Sequence, residues 1–175
     1  MITIRLFTDS DFDDFYAIRR ESLATAPDAF ISKIEDFDRE DPEIERQRYL
    51  SSTAASNPNR MIVGAWIDDQ IKGTMGMARF GHAGFEHQMV IWGVFVSLTA
   101  RGLGLAEAMM HHLFEEGAKV AGVKELVLGV MQSNTGAIRF YEKVGMQPFT
   151  PAANSPLLED AILEEEIFMI YRLDI

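Results

Sequence analysis

The order of apolar and polar residues along the chain predicts an alternation of strands and helices. Residues 2–7 alternate between apolar and polar side chains, which predicts a first strand. Asp9 or Ser10 is then expected to cap an amphipathic helix. Pro27 ends the pattern of this helix because proline lacks the amide that a helix interior needs.

The next segments predict a second helix and a β-hairpin. Residues 42–55 form the helix, which opens with Pro42 in its first turn. Residues 61–67 and 71–80 are two strands, and the short polar segment 68–70 between them predicts a tight hairpin turn.

The longest apolar run lies in the middle of the chain and leads into a glycine-rich turn. Residues 88–96 are rich in β-branched and aromatic side chains, which predicts a buried strand, and Gly93 inside it predicts a bulge or a close backbone approach. After the turn at residues 101–104 the apolar period becomes that of a helix. The apolar face of this helix consists of Ala106, Met109, Met110, Leu113 and Phe114.

The last third of the chain predicts two more strands and a short helix. Residues 126–131 are an apolar strand, and the helix after it is capped by Asn134 and ended by Gly145. Residues 149–163 are expected to form a loop, and residues 166–173 a final strand. The predicted order is β-α-α-β-β-β-α-β-α-β-β, a mixed sheet with helices on both faces.

Length and composition favour one soluble domain over residues 1–175. The chain has 175 residues, 47% of them hydrophobic, which is enough for a single core. No apolar run is long enough for a membrane span and the start does not resemble a signal peptide, so we expect a cytoplasmic protein without a membrane partner. Cysteine is absent, which excludes disulfides, cysteine-ligated zinc and a cysteine-bound acyl intermediate.

The charge balance limits the kinds of partner. The net charge is −11, from 16 Lys and Arg against 27 Asp and Glu. A surface of this sign repels phosphates, so a nucleic-acid partner is not expected. The acidic clusters at residues 35–45 and 159–166 either attract a cationic acceptor or simply keep the protein soluble.

The glycine-rich turn is the strongest candidate for a binding site. A strand that passes through such a turn into a helix leaves several backbone amides at the helix N-terminus, where the helix dipole also favours a phosphate group. A dinucleotide fingerprint would need a small residue in place of Glu107, and a mononucleotide P-loop would need a lysine followed by serine or threonine. Two interpretations remain. The spacing Arg-x-x-Gly-x-Ala of Arg101, Gly104 and Ala106 indicates a third kind of phosphate-binding turn, or the turn binds nothing.

A second motif follows the next predicted strand. Its sequence is Asn134-Thr-Gly-Ala137-Ile-Arg-Phe140-Tyr141-Glu-Lys-Val-Gly145-Met146. Together with the Arg-x-x-Gly-x-Ala turn, it resembles the GNAT family of N-acetyltransferases, in which this segment is Asn-x-x-Ala-x-x-Phe-Tyr-x-x-x-Gly-Phe. Met146 replaces the last aromatic residue of that pattern.

The resemblance extends over nearly the whole chain and implies the GNAT acyl-CoA N-acyltransferase fold, an α/β architecture. In this fold a mixed, mostly antiparallel sheet of about seven strands is flanked by about four helices. The strands at residues 88–96 and 126–131 are expected to splay apart, so that the pantetheine arm of coenzyme A lies between them.

The resemblance also implies an activity: transfer of an acetyl group from acetyl-CoA, the co-substrate, to a primary amine of a small molecule or peptide by direct attack. Backbone groups of the central strand would pair with pantetheine as another strand would, and the turn would bind the diphosphate. The residues expected to bind the coenzyme are Val94, Phe95, Val96, Arg101, Gly102, Leu103, Gly104, Leu105, Ala106, Asn134 and Tyr141.

Tyr141 and Glu86 are the candidate catalytic residues. Tyr141 stands where the family places a phenol that protonates the leaving thiolate, although a core tyrosine with a satisfied hydroxyl would also fit the helix face. The strand at residues 88–96 contains no carboxylate to accept the proton of the amine, and Glu86 lies just before it. His82 and His87 lie in the same loop, where all three would otherwise be ordinary surface residues.

Other residues leave alternatives open. His111 and His112 cannot share one helix face and have no partners at ligand spacing, so we expect no metal site. Some aromatic residues either line an acceptor pocket or belong to the core: Phe30, Phe37, Phe80, Phe85 and Trp92.

Two further functions compete with acetyl transfer. The missing strand carboxylate would favour a non-catalytic acyl-CoA-binding sensor, and the glycine turn alone would fit a nucleotide-binding regulatory domain. The segments expected to select the acceptor, residues 25–55, 80–88 and 149–163, contain no motif that identifies it. A homodimer is compatible with the resemblance.

Overall fold

The periodic segments of the sequence form a sheet and a set of helices. In the computed structural model, residues 1–30, 32–53, 57–159, 161 and 165–174 are described. None of the helices in these ranges has the length and the apolarity needed to cross a lipid bilayer. The elements are β1 (Ile2–Leu6), α1 (Phe12–Thr25), α2 (Ile34–Arg39), α3 (Pro42–Leu50), β2 (Arg60–Ile67), β3 (Gln70–Arg79), β4 (Gln88–Val96), α4 (Leu105–Lys119), β5 (Glu125–Met131), α5 (Thr135–Lys143), β6 (Gln147–Pro148) and β7 (Glu166–Arg172).

The strands form one sheet in the order β1-β2-β3-β4-β5-β7-β6. β1 is antiparallel to β2, and β7 is antiparallel to both β5 and β6. β4 and β5 are parallel, with residues 88–90 opposite residues 125–127. Parallel neighbours need a crossover connection, and α4 lies in that connection. The mixed, mostly antiparallel α/β sheet expected from the sequence is confirmed.

The internal contacts divide the chain into two compact units. The first unit comprises Met1–Gly76 and Gly93–Leu113, and the second unit comprises Met77–Trp92 and Phe114–Ile175. A single domain over the whole chain stays a prediction.

Aromatic packing forms the core of the first unit. The ring of Phe7 lies 6.3 Å from that of Tyr49 and 4.9 Å from that of Trp66. The indole nitrogen of Trp66 donates a hydrogen bond to Asp14 at 2.7 Å, and the guanidinium of Arg5 lies 4.1 Å above the indole. These contacts attach α1 and α3 to β2, and they pair the polar groups at the edge of the cluster.

β5 lies at the centre of the core of the second unit. Its residues 126–128 are at most 2% exposed, and all seven of its residues pair with β7. The ring of Phe114, from α4, stacks on Tyr171 of β7 with centroids 3.8 Å apart. A strand that is buried in this way needs apolar side chains on both faces, which explains the continuous apolar run in the sequence.

The predicted cap of α1 is wrong. Asp9 and Ser10 lie in a 3-10 turn that ends at Asp11, and α1 begins at Phe12. The carboxylate of Asp11 accepts hydrogen bonds from the amide and the hydroxyl of Thr8, both at 2.7 Å. This local network stabilises the extra turn before the helix.

The second predicted helix is shorter than expected, and an additional helix precedes it. α3 opens with Pro42 as predicted but ends at Leu50, where the hydroxyls of Ser51 and Ser52 donate to the carbonyl of Arg48. Residues 54 and 55 of the predicted helix lie outside the described residues. α2 was not predicted because its six residues are too few to show a helical period.

The predicted hairpin turn is confirmed, and the loop after β6 is described in part. Asp68 and Asp69 have φ angles of +47° and +64°, as a two-residue hairpin turn requires. The predicted loop at residues 149–163 contains a 3-10 turn, Pro156–Leu158. Residues 160, 162 and 163 of this loop lie outside the described residues.

Candidate functional site

The turn between β4 and α4 has a backbone conformation that glycine adopts readily. A 3-10 turn at Leu98–Ala100 leads to Gly102 and Gly104, whose φ angles are +79° and +77°. A Cβ atom at either glycine would have no atom of the described residues within 4 Å. The conformation therefore favours glycine, and the space beside the backbone is open.

The turn presents backbone amides at the start of α4. The first hydrogen bond of the helix joins the amide of Ala108 to the carbonyl of Gly104 at 3.0 Å. Within the described part of the chain, the amides of residues 102–106 donate to no carbonyl or side chain. α4 has 15 residues, and its dipole adds a positive potential at these donors. This arrangement is suited to an anion such as a phosphate group.

Arg101 lies beside these amides. Its Nε donates a hydrogen bond to the carbonyl of Val96 at 3.3 Å, which holds the side chain at the end of β4. The side chain is otherwise exposed. A guanidinium in this position can add a bidentate contact to an anion at the turn.

The turn also contains a buried hydroxyl that the sequence did not single out. Ser97 is 2% exposed, and its Oγ has no hydrogen-bond partner among the described residues. Its amide donates to the carbonyl of Lys72 at 2.8 Å. A serine at the end of a strand is common, so no sequence signal distinguishes this hydroxyl from an ordinary one.

The last residues of β4 alternate in the direction of their backbone groups. The amide of Ser97 bonds to Lys72 of β3, and the carbonyl oxygen of Phe95 lies 3.3 Å from the position of a Cβ built on Gly73. Since alternate residues of a strand face the same neighbour, the backbone groups of Phe95 face β3 and those of Val94 and Val96 face away from it.

Gly93 interrupts the regular geometry of β4, as the sequence predicted. Its φ of +63° lies in the left-handed region, which is typical of a bulge. A Cβ at this position would meet no described atom within 4 Å, so the backbone conformation and not a shortage of space selects glycine.

α5 has the predicted cap and stop. The side-chain oxygen of Asn134 accepts a hydrogen bond from the amide of Ala137 at 3.1 Å. Gly145, with φ of +95°, follows the helix, and the amide of Met146 bonds back to the carbonyl of Tyr141 at 2.9 Å. The predicted N-cap and C-terminal glycine of this helix are therefore confirmed.

Tyr141 combines a buried ring with an unpaired hydroxyl. The residue is 7% exposed, and burial raises the pKa of its phenol to about 12. Its hydroxyl forms no hydrogen bond with another described residue, and the oxygen is not sealed from solvent. At neutral pH the phenol is protonated and able to donate.

Glu86 lies in the exposed loop before β4. Its carboxylate accepts a hydrogen bond from the amide of Gly84 at 2.8 Å. Hydrogen bonds from its own amide and from that of Gly84 lower the pKa of Glu86. The group is therefore ionised at neutral pH, and a carboxylate with a lowered pKa is a weak proton acceptor.

The two histidines of this loop lie close to carboxylates of the same unit. His82 Nε2 lies 3.2 Å from an oxygen of Glu159, and His87 Nε2 lies 3.5 Å from an oxygen of Glu125. His111 and His112 belong to α4. Among the described residues, no three His, Cys, Asp or Glu side chains are grouped in a way that could hold a metal ion.

The aromatic residues with two predicted roles differ in their surroundings. Phe37 is buried and packs on Tyr16 with ring centroids 4.8 Å apart, so it belongs to the core. Phe30 is half-buried beneath the guanidinium of Arg19, and Phe85 stacks beside His87. Phe80 and Trp92 are also half-buried.

Comparison with known proteins gives consistent findings. The model of the family described as "Acetyltransferase (GNAT) family" matches residues 15–146. No curated protein sequence matches the chain significantly.

Solved structures of similar fold cover nearly the whole chain. A GNAT-family acetyltransferase from Streptococcus pneumoniae is 19% identical, with a TM-score of 0.75 over 99% of this chain and 100% of that one. The yncA protein of Salmonella typhimurium, a putative acetyltransferase solved with acetyl-CoA, is 18% identical, with a TM-score of 0.74 over 99% of this chain and 94% of that one. A ribosomal-protein-alanine N-acetyltransferase from Brucella melitensis is 21% identical, with a TM-score of 0.74 over 98% and 99%. At these identities the likeness shows the fold alone.

Proposed function

Because the chain belongs to the acetyltransferase (GNAT) family, whose members take an acetyl group from acetyl-CoA, we propose that it acetylates a primary amine. The acceptor would be a small molecule or a peptide that attacks the thioester directly. A cytoplasmic location and a homodimer stay predictions.

The observation that supports this proposal best is the set of amides at residues 102–106. They lie at the start of a long helix, they have no acceptor among the described residues, and the glycines beside them leave the backbone open. A diphosphate supplies the negative charge and the acceptor oxygens that such a site favours. In the proposal Arg101 adds a charged contact to the same group.

The end of β4 supports a role in binding the amide-rich pantetheine arm. The backbone groups of Val94 and Val96 face away from β3, so they are the ones oriented to pair with an extended ligand as a strand would. Phe95, whose backbone faces β3, would contribute its buried side chain to the support of the site. Asn134 is proposed to bind the coenzyme in addition to capping α5.

Tyr141 is proposed as the general acid. The amine nitrogen attacks the thioester carbonyl carbon, the carbon–sulfur bond breaks, and the hydroxyl of Tyr141 gives its proton to the leaving thiolate. The ammonium loses two protons in the whole reaction, of which one returns to Tyr141 through solvent and one is released. The pKa of about 12 supports this role because it keeps the phenol protonated before the thiolate forms.

Glu86 is proposed to attract the ammonium form of the acceptor. Water is proposed to accept the proton that the ammonium loses before the attack. The carboxylate is ionised and exposed, which suits attraction of a cation. Its lowered pKa makes it a poor base. We therefore expect Glu86→Gln to reduce kcat/KM for amines by less than about fivefold.

A non-catalytic acyl-CoA-binding sensor is the second candidate. It is favoured by one observation: β4 contains no carboxylate, and Glu86, the carboxylate that precedes β4 in the sequence, has a lowered pKa. The hydroxyl of Tyr141, which has no partner among the described residues, favours the enzyme, since a sensor has no need of a proton donor.

The decisive experiment separates binding from turnover. Acetyl-CoA affinity is measured by calorimetry, and release of free CoA is followed with a panel of primary amines. The enzyme is expected to bind acetyl-CoA and to release CoA only when an amine is present. Tight binding without amine-dependent release would support the sensor, and stronger thermal stabilisation by ATP or NAD than by CoA would support a nucleotide-binding domain.

A further inference from the structure

One arginine on α1 differs from the other arginines of the first three helices. Arg20 and Arg48 lie within 2.8 Å of a carboxylate oxygen, and Arg39 and Arg46 lie within 4 Å of one. Arg19 makes no ion pair, and its guanidinium makes no hydrogen bond, with any of the described residues. Because no described residue accepts a hydrogen bond from it, the guanidinium has a charge and donors that can bind a ligand.

Arg19 is also held in place and partly removed from water. The side chain is half-buried, next in sequence to Ile18, which is fully buried. The guanidinium carbon lies 5.1 Å from the centre of the Phe30 ring, a distance that permits a cation–π contact. Phe30 therefore supports the planar group from one side and limits its orientation.

The surroundings do not compensate the charge fully. Burial lowers the pKa of Arg19, and the carboxylate of Glu45 acts in the opposite direction from a distance. Glu45 already contacts the guanidinium of Arg48 at 3.4 Å. A guanidinium that has lost part of its hydration and has no bonded anion is stabilised when a carboxylate binds to it.

The position of Arg19 and Phe30 indicates which molecule would supply the carboxylate. Phe30 lies within the segment at residues 25–55, which is expected to select the acceptor, and the guanidinium of Arg19 on α1 lies over its ring. A guanidinium fork matches a carboxylate with two parallel hydrogen bonds, which a lysine in its place could not form.

We propose that the guanidinium of Arg19, held against the ring of Phe30, binds a carboxylate of the acceptor, so that the enzyme selects amines that also contain a carboxylate. This inference rests on the proposed acetyltransferase function. It makes Arg19 a specificity residue and gives it no part in the transfer of the acetyl group.

The test compares acceptors that differ only in that carboxylate. Alanylglycine is paired with alanylglycinamide, and Nα-acetyl-lysine with its amide, because the reacting amine has nearly the same basicity within each pair. Dissociation constants are measured by calorimetry on the CoA-saturated protein. We expect the carboxylate form to bind about tenfold or more tightly than the amide in at least one pair.

Variants of the two neighbouring arginines identify the residue responsible. Arg19→Gln should bring the two forms of each pair to equal affinity, and Arg19→Lys should retain only a small preference. Arg20→Gln is the matched control, because Arg20 is exposed and bonded to Asp38, and it should keep the wild-type preference. Thermal melting shows whether each variant is folded.

Three results would overturn the inference: equal affinities in both pairs for the wild type, no measurable binding of any of the four probes, or a preference that survives Arg19→Gln. None of these depends on turnover. Failure of the proposed function is recognised separately, as absence of amine-dependent CoA release from a protein that binds its acceptors.

Discussion

At the scale of single residues, Tyr141 has the property that an acid for a leaving thiolate needs. Its ring is buried in the second unit while its hydroxyl lacks a partner among the described residues. A core tyrosine of purely structural importance would normally have its hydroxyl bonded within the protein.

Tyr141→Phe is therefore expected to separate catalysis from binding. Turnover with a good amine should fall about a hundredfold or more, because the variant cannot supply the proton. Acetyl-CoA affinity should change by less than about threefold, since the ring that packs in the core is retained. Steady-state kinetics and calorimetry measure the two quantities, and unchanged turnover would show that water or another group supplies the proton.

The raised pKa of Tyr141 also makes a prediction for stability. The phenol has an ordinary pKa near 10 in the unfolded chain and about 12 in the folded protein. Its contribution to stability is complete below pH ~10 and is lost as the pH rises towards ~12, where the unfolded chain releases the proton first. The free energies of unfolding of the wild type and Tyr141→Phe, measured in urea, should thus change differently with pH only in this alkaline range. If the two plots of unfolding free energy against pH were parallel throughout, the raised pKa of Tyr141 would be contradicted.

At the scale of elements, the junction of β4 and α4 joins local backbone geometry to ligand binding. Gly104 has a left-handed backbone conformation and no described neighbour that a Cβ would strike. A side chain at this position would strain the backbone by about 1–2 kcal/mol and cover the amides that follow it.

Gly104→Val should consequently abolish acetyl-CoA binding with only moderate loss of stability. Gly81→Val is a suitable control, because a Cβ at Gly81 also meets nothing within 4 Å of it among the described atoms and its φ is not in the left-handed region. The control should bind acetyl-CoA normally in calorimetry. If Gly104→Val kept its affinity, the amides of the turn would not be the diphosphate site.

The N-terminus of α5 tests whether Asn134 has a role beyond its cap. Asn134→Ala should lower the free energy of unfolding by about 1 kcal/mol, because the amide of Ala137 loses its acceptor. Asn134→Ser retains a capping oxygen and should restore most of that stability. If Asn134 also binds the coenzyme, both variants should weaken acetyl-CoA binding, whereas a cap alone predicts that Asn134→Ser binds like the wild type.

At the scale of the whole molecule, the net charge is −11, and the negative charges are partly neutralised locally where the acidic residues are densest. In the segment at residues 35–45, Asp36, Asp38, Glu40 and Glu43 are each paired with an arginine. Such pairs weaken the field that could attract a cationic acceptor.

We therefore expect a weak dependence of the reaction on salt. Between about 20 and 200 mM NaCl, kcat/KM for a diamine should fall by less than about threefold. Alanylglycine, whose charges cancel, is the control and should change less. A fall of tenfold or more for the diamine would indicate that electrostatic attraction of a cationic acceptor is a major function of the acidic surface.

The chain sequence was sufficient for the features that depend on neighbouring residues. The hairpin at Asp68 and Asp69, the cap at Asn134 and the position of the glycine turn follow from the chemistry of a few adjacent residues. The fold and the family followed from the same local motifs. Where local signals competed, as at Asp9 and Asp11, the sequence predicted the wrong cap.

The tertiary structure decided the features that depend on which distant groups meet. Whether the hydroxyls of Tyr141 and Ser97 find partners, and whether Arg19 meets a carboxylate, is fixed by packing between elements. The raised pKa of Tyr141 has the same origin, because desolvation is a property of the surrounding core. Residue type and spacing determine which groups are available, and only folding determines which of them remain unpaired.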